Sequence, residues 1–273
     1  MGIQSIKNVD FESSFWMKKA NDLVAIAKPL ARFGITYFSR SRLFDCGIDD
    51  SLSTNPHAQE IFIDRQMWKH VFVGSVDSYS RCAIPWEEID SKNIEIIEYL
   101  KEVRNSLGIA NGIVLTEPKG EYVEFYYFGT TVSNYGIKNF YLNNLDILYN
   151  FIDYFNDVGC DIKRDSYDHR VYYPNAADKT ILTSGEVSNT YHDKTNHDQT
   201  FLIMSDFYGL SKRERQCAQL LMLGNCCKRM ASKMNLSTRT VEKHLQSLRR
   251  KTNSHNYSQM FTKLYNIKKT TMR

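Results

Sequence analysis

The sequence predicts an α+β domain at the N-terminus, in which helices pack a small antiparallel sheet, and an all-α domain of four helices at the C-terminus. Two observations predict this division. Residues 11–155 alternate between helical and strand periodicity, whereas residues 206–273 keep apolar spacings of three and four without a strand pattern. The stretch between them is polar. We therefore expect a first domain over 1–160, a connecting region over 161–205 and a second domain over 206–273.

The first half of the N-terminal domain is predicted to contain two helices and a strand. Apolar residues three or four apart predict a helix over 15–30, and a β-branched and aromatic run predicts a strand over 35–44 that turns at Gly47. Serine, asparagine and proline predict a loop over 51–57. A second helical spacing follows over 59–73.

The second half is predicted to contain a helix, a hairpin and a further helix. The helix over 94–107 is expected to end at Gly108, because glycine readily adopts the left-handed conformation of a helix end. Two apolar runs, 112–116 and 121–128, are joined by Glu-Pro-Lys-Gly and predict a β-hairpin. A long aromatic helix over 142–155 follows. This order of elements is typical of a sensor-like α+β fold.

Charge is divided unequally between the two predicted domains. Residues 207–273 hold 15 Lys and Arg against 2 Asp and Glu, whereas residues 1–206 hold 20 basic and 29 acidic residues. A basic segment on an acidic body is expected of a nucleic-acid-binding module joined to a part that does not bind nucleic acid. A basic surface that is merely solvated would have the same composition.

The composition disfavours several other classes of protein. Apolar residues make up 42% and charged residues 24% of the chain, and no run approaches the roughly 18 apolar residues of a membrane span. The start of the chain has no signal-peptide pattern, so we expect a cytoplasmic protein that does not bind membranes. The six cysteines form no CxxC pair and no catalytic motif is recognisable, so we expect no metal ion, no cofactor and no enzymatic activity.

The C-terminal domain begins with a helix whose start is clearly marked. Ser211 is predicted to cap it, and Glu214 completes a capping box three residues later. Gly224 is expected to end this helix, and a tight Asn-Leu-Ser turn separates the second helix from the third. The four predicted helices cover residues 211–223, 227–234, 238–252 and 257–266.

Three segments of this domain carry a recognisable pattern: L-S-K-R-E-R-Q-C-A-Q-L-L-M-L-G over 210–224, M-A-S-K-M-N-L-S-T-R-T-V-E-K-H-L over 230–245 and L-R-R-K-T over 248–252. They resemble the helix-turn-helix of LuxR-type bacterial transcription regulators. The departure lies at Cys226 and Cys227, where the family usually has Ser and then Asn or Thr. The resemblance implies sequence-specific binding of double-stranded DNA, with the third helix, about 238–252, in the major groove.

The exposed side of the third helix is expected to read DNA. Val241, Leu245 and Leu248 form its buried side, so the residues pointing away from them can reach base edges in a major groove, which admits a helix. These candidate base contacts are Arg239, Glu242, Lys243, Gln246 and Arg250. A solvated helix face is the alternative for each of them.

A second group is expected to hold the DNA backbone. Hydroxyl and backbone N–H groups at a helix start suit phosphate oxygens, and lysine side chains neutralise them. The candidates are Ser237, Thr238, Thr240, Lys228, Lys233 and Lys251. His244 belongs to the candidate surface as a packing or phosphate residue rather than a base reader.

A single module of this size binds DNA modestly, so specificity normally needs two copies on half-sites about 10 bp apart. We therefore expect a homodimer, with the fourth helix or the N-terminal domain as its interface. The alternative function is that of an interaction or structural protein whose basic tail coats nucleic acid. The two functions differ because a regulator prefers one sequence by roughly 10³-fold or more, whereas a coating protein shows only a steep salt dependence.

Three motifs follow one another in the N-terminal domain: Trp68-x-x-x-Phe72, the pair Pro85-Trp86, and an approach to the hairpin over 107–112. Their order is similar to that of acyl-homoserine-lactone-binding sensor domains, which implies gating by a small molecule or a partner. Phe72 replaces the tyrosine that binds the lactone, and Asp77 is only the nearest counterpart of the family's aspartate, so lactone recognition is not implied. The candidate pocket residues are Tyr37, Phe44, Trp68, Phe72, Asp77, Trp86 and Tyr127. An ordinary aromatic core is the alternative.

Overall fold

The computed structural model divides into two compact units, which we call the sheet unit and the helical unit. The sheet unit comprises Met1–Asn143 and Gly159–Thr190, and the helical unit comprises Asn144–Val158 and Tyr191–Arg273. The structure describes residues 4–5, 10–71, 76–89, 93–173 and 197–269. Most of the helix predicted over 142–155 therefore belongs to the helical unit. The domain boundary predicted at residue 160 placed this helix in the first domain.

The sheet unit is organised around one sheet, to which seven strands contribute among the described residues. They are β1 (Gln4–Ser5), β2 (Tyr37–Phe44), β3 (Ile48–Ser53), β4 (Cys82–Pro85), β5 (Ile109–Pro118), β6 (Tyr122–Thr131) and β7 (Val171–Tyr172). Their spatial order is β1-β7-β3-β2-β6-β5-β4, and neighbours are antiparallel except for β1 and β7. This arrangement confirms the predicted antiparallel sheet, in which β5 and β6 are the predicted hairpin.

Among the residues that the structure describes, six α-helices belong to the sheet unit. They are α1 (Phe15–Ala27), α2 (Pro56–Asp64), α3 (Trp68–Val71), α4 (Ile94–Leu107), α5 (Ile137–Asn143) and α7 (Cys160–Asp168). The side chains of Ser14, Asn55 and Asn93 accept hydrogen bonds from backbone N–H groups at the starts of α1, α2 and α4. Gly108 ends α4 with a φ of 68°, as its sequence position predicts.

The helix predicted over 59–73 is interrupted, and two short helices, α2 and α3, lie in this part of the chain. Gln66, between them, has a φ of 54°, a left-handed conformation that a continuous helix does not accommodate. The Met67 N–H donates to the Phe62 carbonyl oxygen at 2.9 Å and closes the turn. As a result, the chain changes direction just before Trp68, whose side chain is buried in the core.

Strand β3 corrects the loop predicted over 51–57. It pairs with β2 from Asp49 opposite Leu43 to Ser53 opposite Ser39. Aspartate and serine have little preference for strands, so no local signal marks this segment. Backbone pairing with β2 and β7 stabilises the strand, and a single sequence does not reveal such pairing.

The strand registers sort the side chains of the sheet onto two faces. One, which we call the tyrosine face, carries Tyr37, Asp49 and Tyr127. The other, which we call the arginine face, carries Arg40 and Asp50. The two aspartates are adjacent in sequence and therefore point to opposite faces.

Charged groups on the arginine face are buried and mutually paired. Arg40 donates to Asp50 and, through Nη2 at 2.6 Å, to Glu124, while Arg42 donates to Asp50 through Nε at 2.8 Å. The Tyr126 hydroxyl donates to Glu124 at 2.8 Å. Buried charges are tolerated only with such partners, so this network is a structural feature of the sheet.

The helical unit contains six helices among the described residues. They are α6 (Leu145–Val158), α8 (His197–Phe207), α9 (Lys212–Met222), α10 (Cys227–Met234), α11 (Thr238–Lys251) and α12 (Tyr257–Lys269). The last four confirm the predicted all-α domain. Helix α6 packs on α8 through aromatic rings: Phe151 and Tyr154 each lie 5.8 Å from Phe207 between ring centroids.

Candidate DNA-binding surface and candidate ligand site

The start of α9 is fixed by the predicted capping box. Ser211 accepts a hydrogen bond from the Glu214 N–H at 3.3 Å, and the Glu214 carboxylate accepts one from the Ser211 N–H at 2.6 Å. Lys251, at the end of α11, donates to the same carboxylate at 2.8 Å. Burial by itself raises the pKa of Glu214, but hydrogen bonds from Lys251, Ser247 and Ser211 outweigh it and lower the pKa to about 2.

The turn between α10 and α11 has the geometry that a helix-turn-helix requires. Asn235 ends α10 with a φ of 52°, and the Leu236 N–H donates to the Ala231 carbonyl oxygen at 3.0 Å. The Ser237 side chain then caps α11 by accepting from the Thr240 N–H at 3.1 Å. This cap sets the direction in which α11 leaves the turn.

Helix α11 has a buried side and an exposed side, as the sequence predicts. Val241, Leu245 and Leu248 are buried. At 3.6 residues per turn, the candidate base contacts lie within an arc of about 100° on the other side. They are all exposed and, within the described residues, none of their side chains has a hydrogen bond or an ion pair: Arg239, Glu242, Lys243, Gln246 and Arg250.

Most of the candidate phosphate contacts are also accessible. Lys228 and Lys233 on α10 are exposed, as are Ser237 and Thr238 at the start of α11. The hydroxyl of Thr240 is half-buried and lies 2.8 Å from the Ser237 hydroxyl, so these two hydroxyls also bond to each other. The exposed lysines therefore lie on the helix before the turn, beside the exposed start of α11.

Two of the predicted DNA contacts, Lys251 and His244, are partly buried or hydrogen-bonded within the protein. The Lys251 ammonium donates to the Gly209 carbonyl oxygen at 2.9 Å as well as to Glu214. The geometry therefore favours a structural role for Lys251, joining α9 to the end of α11. His244 is half-buried, which is consistent with the expected packing role.

The two cysteines that depart from the family pattern lie at the start of α10. Cys226 occupies the N-cap position and is exposed, whereas Cys227 is half-buried. The backbone N–H of Arg229 and the positive charge nearby lower the pKa of the Cys226 thiol. Cys217 on α9 is buried, and burial raises its pKa to about 11.

The structure brings only some of the candidate pocket residues of the sheet unit together. Tyr37, Trp68 and Trp86 belong to one buried cluster, and Tyr127 packs against it. Phe44 points to the arginine face, where Arg42 lies 5.5 Å from its ring centroid. Asp77 is exposed in a short 3-10 helix, Val76–Ser78. Phe72 lies outside the described residues.

Trp86 is held directly against the sheet at a place where two glycines remove side-chain bulk. A methyl group built at Gly112 falls 2.2 Å from Trp86 Cε2, and one at Gly129 falls 3.0 Å from Trp86 Cη2. The strand is irregular here, with a register shift between Ala110 and Ile113. Only glycine at position 112 lets the indole lie this close to the backbone.

Two buried polar residues of the candidate ligand site were not singled out from the sequence. They are Asp49, on the tyrosine face, and Tyr173. Asp49 lies on the unpredicted strand β3, and Tyr173 follows β7 and stacks on Trp68 at 5.0 Å between ring centroids. Burial and the nearby Asp49 carboxylate raise the pKa of Tyr173 and of Tyr127. Asp49 could have been predicted only if β3 had been recognised as a strand, because its pairing opposite Leu43 is what places the carboxylate on the tyrosine face.

None of the helices among the described residues combines the length and the apolar character needed to cross a bilayer. Within the same ranges, no three His, Cys, Asp or Glu side chains lie together in a way that could hold a metal ion.

Comparison with solved structures finds similar chains, and two of them are SdiA. The crystal structure of Escherichia coli SdiA in space group P6522 is 13% identical, with a TM-score of 0.34, and the match covers 92% of this chain and 91% of that one. SdiA in complex with octanoyl-rac-glycerol is 11% identical, with a TM-score of 0.32, and the match covers 94% and 91%. No curated protein matches the chain in sequence.

Comparison with family models bears on the C-terminal part of the chain. Residues 209–264 match the model described as bacterial regulatory proteins, luxR family. The match spans helices α9, α10 and α11 and most of α12, and it contains both the capped turn and the exposed face of α11. Residues 209–264 are thus a domain of the luxR family of bacterial regulatory proteins.

Proposed function

We propose that this protein is a transcription regulator that binds a specific sequence of double-stranded DNA through α11. The observation that carries the proposal is the exposed face of α11, where five polar side chains have no partner in the part of the chain that the structure describes. Arg239 and Lys243 are suited to guanine edges and Gln246 to adenine, since these side chains match the donors and acceptors of the major groove. Lys228 and Lys233 contact phosphates and contribute affinity for any sequence. The luxR-family match supports the same function.

We propose further that the protein acts as a homodimer. A single α11 covers too few base pairs for high specificity, and two copies on half-sites about one helical turn apart overcome this limit. Helix α12 supports the proposal, since Tyr257 and Phe261 are exposed large apolar side chains on it. Sedimentation of the purified protein tests it, because a monomer at micromolar concentration contradicts a stable dimer.

The sheet unit is proposed to gate DNA binding by taking up a small molecule. The supporting observation is the cluster of Tyr37, Trp68 and Trp86 with Tyr127, in which aromatic side chains with polar atoms pack at the tyrosine face. Ligand sites characteristically combine an apolar lining with a few polar groups. An ordinary aromatic core is the alternative, and it needs no unsatisfied polar atoms.

Selection from a random-sequence duplex library tests the DNA-binding proposal. The full-length protein is incubated with the library at physiological salt, and the retained duplexes are sequenced. We expect an enriched two-fold motif with half-sites about 10 bp apart. If the retained duplexes share no motif and binding depends only on salt, the protein coats DNA and the proposal is wrong.

A further inference from the structure

Five buried side-chain polar atoms of the sheet unit have no hydrogen-bond partner among the described residues. Three of them belong to the candidate ligand site or its surroundings: Asp49 Oδ2, Trp68 Nε1 and Trp86 Nε1. The other two are the Tyr141 hydroxyl and Arg170 Nε. Asp49, Trp68 and Trp86 are 1%, 5% and 8% exposed. Unpaired polar atoms at this depth are rare in native proteins, because each loses its hydration without gaining a hydrogen bond. The three atoms of Asp49, Trp68 and Trp86 point to a ligand that supplies the missing partners.

Asp49 is the charged member of this group. On β3 its side chain points to the tyrosine face, where the Ser41 hydroxyl donates to Oδ1. Nothing among the described residues donates to Oδ2. Burial raises the pKa of Asp49 to about 7.

Aromatic residues surround this carboxylate. Tyr127 on β6 and Tyr173 after β7 are close enough for the Asp49 charge to raise the pKa of both phenols, together with their burial. Tyr173 stacks on Trp68 at 5.0 Å, and Tyr37 meets Trp86 edge to face at 6.0 Å. Both tryptophans, Tyr37 and Tyr173 belong to one buried cluster, against which Tyr127 packs.

Two cations of the neighbouring strand β2 are already committed to other carboxylates. Arg40 and Arg42 lie on the arginine face and pair with Asp50 and Glu124. Asp50 thus has two guanidinium partners, whereas Asp49, its neighbour in sequence, has hydroxyl groups and no paired cation. A buried carboxylate without a cation gains most from a ligand that carries one.

We propose that the tyrosine face binds a small organic amine whose ammonium group pairs with Asp49 and whose body carries a hydrogen-bond acceptor for the Trp68 or Trp86 indole. This inference rests on the proposed ligand gating of the sheet unit and names the class of ligand. Aromatic ring faces attract cations, so the same rings that line the site favour an ammonium group over a neutral group of equal size. The indole N–H groups, which only donate, account for the acceptor.

Matched pairs of amines and alcohols test the proposal on the full-length protein. The pairs are tyramine with tyrosol, tryptamine with tryptophol, and hexylamine with hexanol. Binding is measured by calorimetry at about pH 8, where Asp49 is ionised and alkylamines are protonated. We expect at least one amine to bind about tenfold or more tightly than its alcohol, since a tenfold preference needs only about 1.4 kcal/mol.

Three variants assign the preference to the site. Asp49→Asn keeps the size of the side chain and is expected to reduce the amine preference to within about twofold. Trp68→Phe keeps a ring and removes the indole donor, so it is expected to weaken both members of the tyramine and tyrosol pair. Asp168→Asn, at an exposed carboxylate at the end of α7, is the matched control and keeps the amine preference.

The outcomes separate this inference from the function on which it rests. If no amine binds, if the alcohols bind as tightly as the amines, or if Asp49→Asn keeps the amine preference while its melting temperature shows it folded, the inference is wrong. Selection of an enriched DNA motif is independent of these results. If a DNA motif is enriched and the alcohols bind as tightly as the amines, the proposal of a ligand-gated regulator stands and only the proposal of an amine ligand is wrong.

Discussion

Lys263 on α12 pairs with Asp157 on α6 and, with the same ammonium group, binds the end of the proposed recognition helix. It donates to the carbonyl oxygens of Thr252 and Asn253, each at 2.9 Å. The Tyr208 hydroxyl donates to the other Asp157 oxygen at 3.0 Å. Helix α6 is continuous in sequence with the sheet unit at both of its ends. The last turn of α11 is thus bound to a segment flanked by the proposed ligand-sensing unit.

Replacing Asp157 by Asn is expected to destabilise the helical unit by about 1–2 kcal/mol, because it removes the charge that Lys263 pairs with in a largely buried position. Chemical unfolding followed by circular dichroism measures this change. Glu98→Gln is the matched control, since it breaks an exposed pair with Lys101 and is expected to leave the unfolding midpoint unchanged. Equal midpoints for Asp157→Asn and wild type contradict the prediction.

The pairing of Glu214 with Lys251 predicts a loss of stability in acid. The pKa of Glu214 is lowered from 4.5 to about 2 in the folded protein, so its contribution is complete above about pH 4.5 and is lost as the pH falls towards 2. Glu214→Gln is expected to lower stability by about 1–3 kcal/mol at neutral pH. The difference between the variant and wild type should shrink between pH 4.5 and 2, and a constant difference over this range contradicts the assignment.

The sequence predicts the C-terminal helices well because their signals are local. The capping box at Ser211, the turn at Asn235 and the apolar spacing of α11 each depend on residues within a few positions of one another. The role of Lys251 was not predictable in the same way. Its partner Glu214 lies 37 residues away, and only the packing of α9 on α11 brings the two together.

The sheet unit was harder to predict because its decisive contacts are long-range. Strand β3 is rich in serine and aspartate, and pairing with β2 and β7 defines it. The candidate ligand site was found only in part for the same reason. Large aromatics such as Trp68 and Trp86 are visible in a sequence, whereas Asp49 becomes notable only when the strand places it among them.

Trp86 depends on the absence of a side chain at Gly112. We expect Gly112→Ala to displace the indole and to destabilise the sheet unit by about 1–3 kcal/mol, since the added methyl group overlaps the ring. Tryptophan fluorescence and thermal unfolding report the two effects. Gly136→Ala is the matched control, because a methyl group there meets nothing within 4 Å and the residue has no left-handed φ. Identical spectra for both variants contradict the proposed contact.

Lys243 and Lys233 are both exposed lysines, but the proposed docking gives them different roles. Lys243→Ala removes a base contact and is expected to weaken binding to the selected motif by about 1–3 kcal/mol, with little change on random DNA. Lys233→Ala removes a phosphate contact, so it should weaken binding to both and reduce the slope of log K against log salt by about 1.

Titration of both variants against the selected motif and a scrambled duplex, at several salt concentrations, separates these roles. The ratio of the two affinities should fall for Lys243→Ala and stay constant for Lys233→Ala. An equal loss on both duplexes for Lys243→Ala would make Lys243 a phosphate contact. Because Lys243 lies between Arg239 and Gln246 along the exposed face, about one turn from each, that result would also argue against the entry of this face into the major groove.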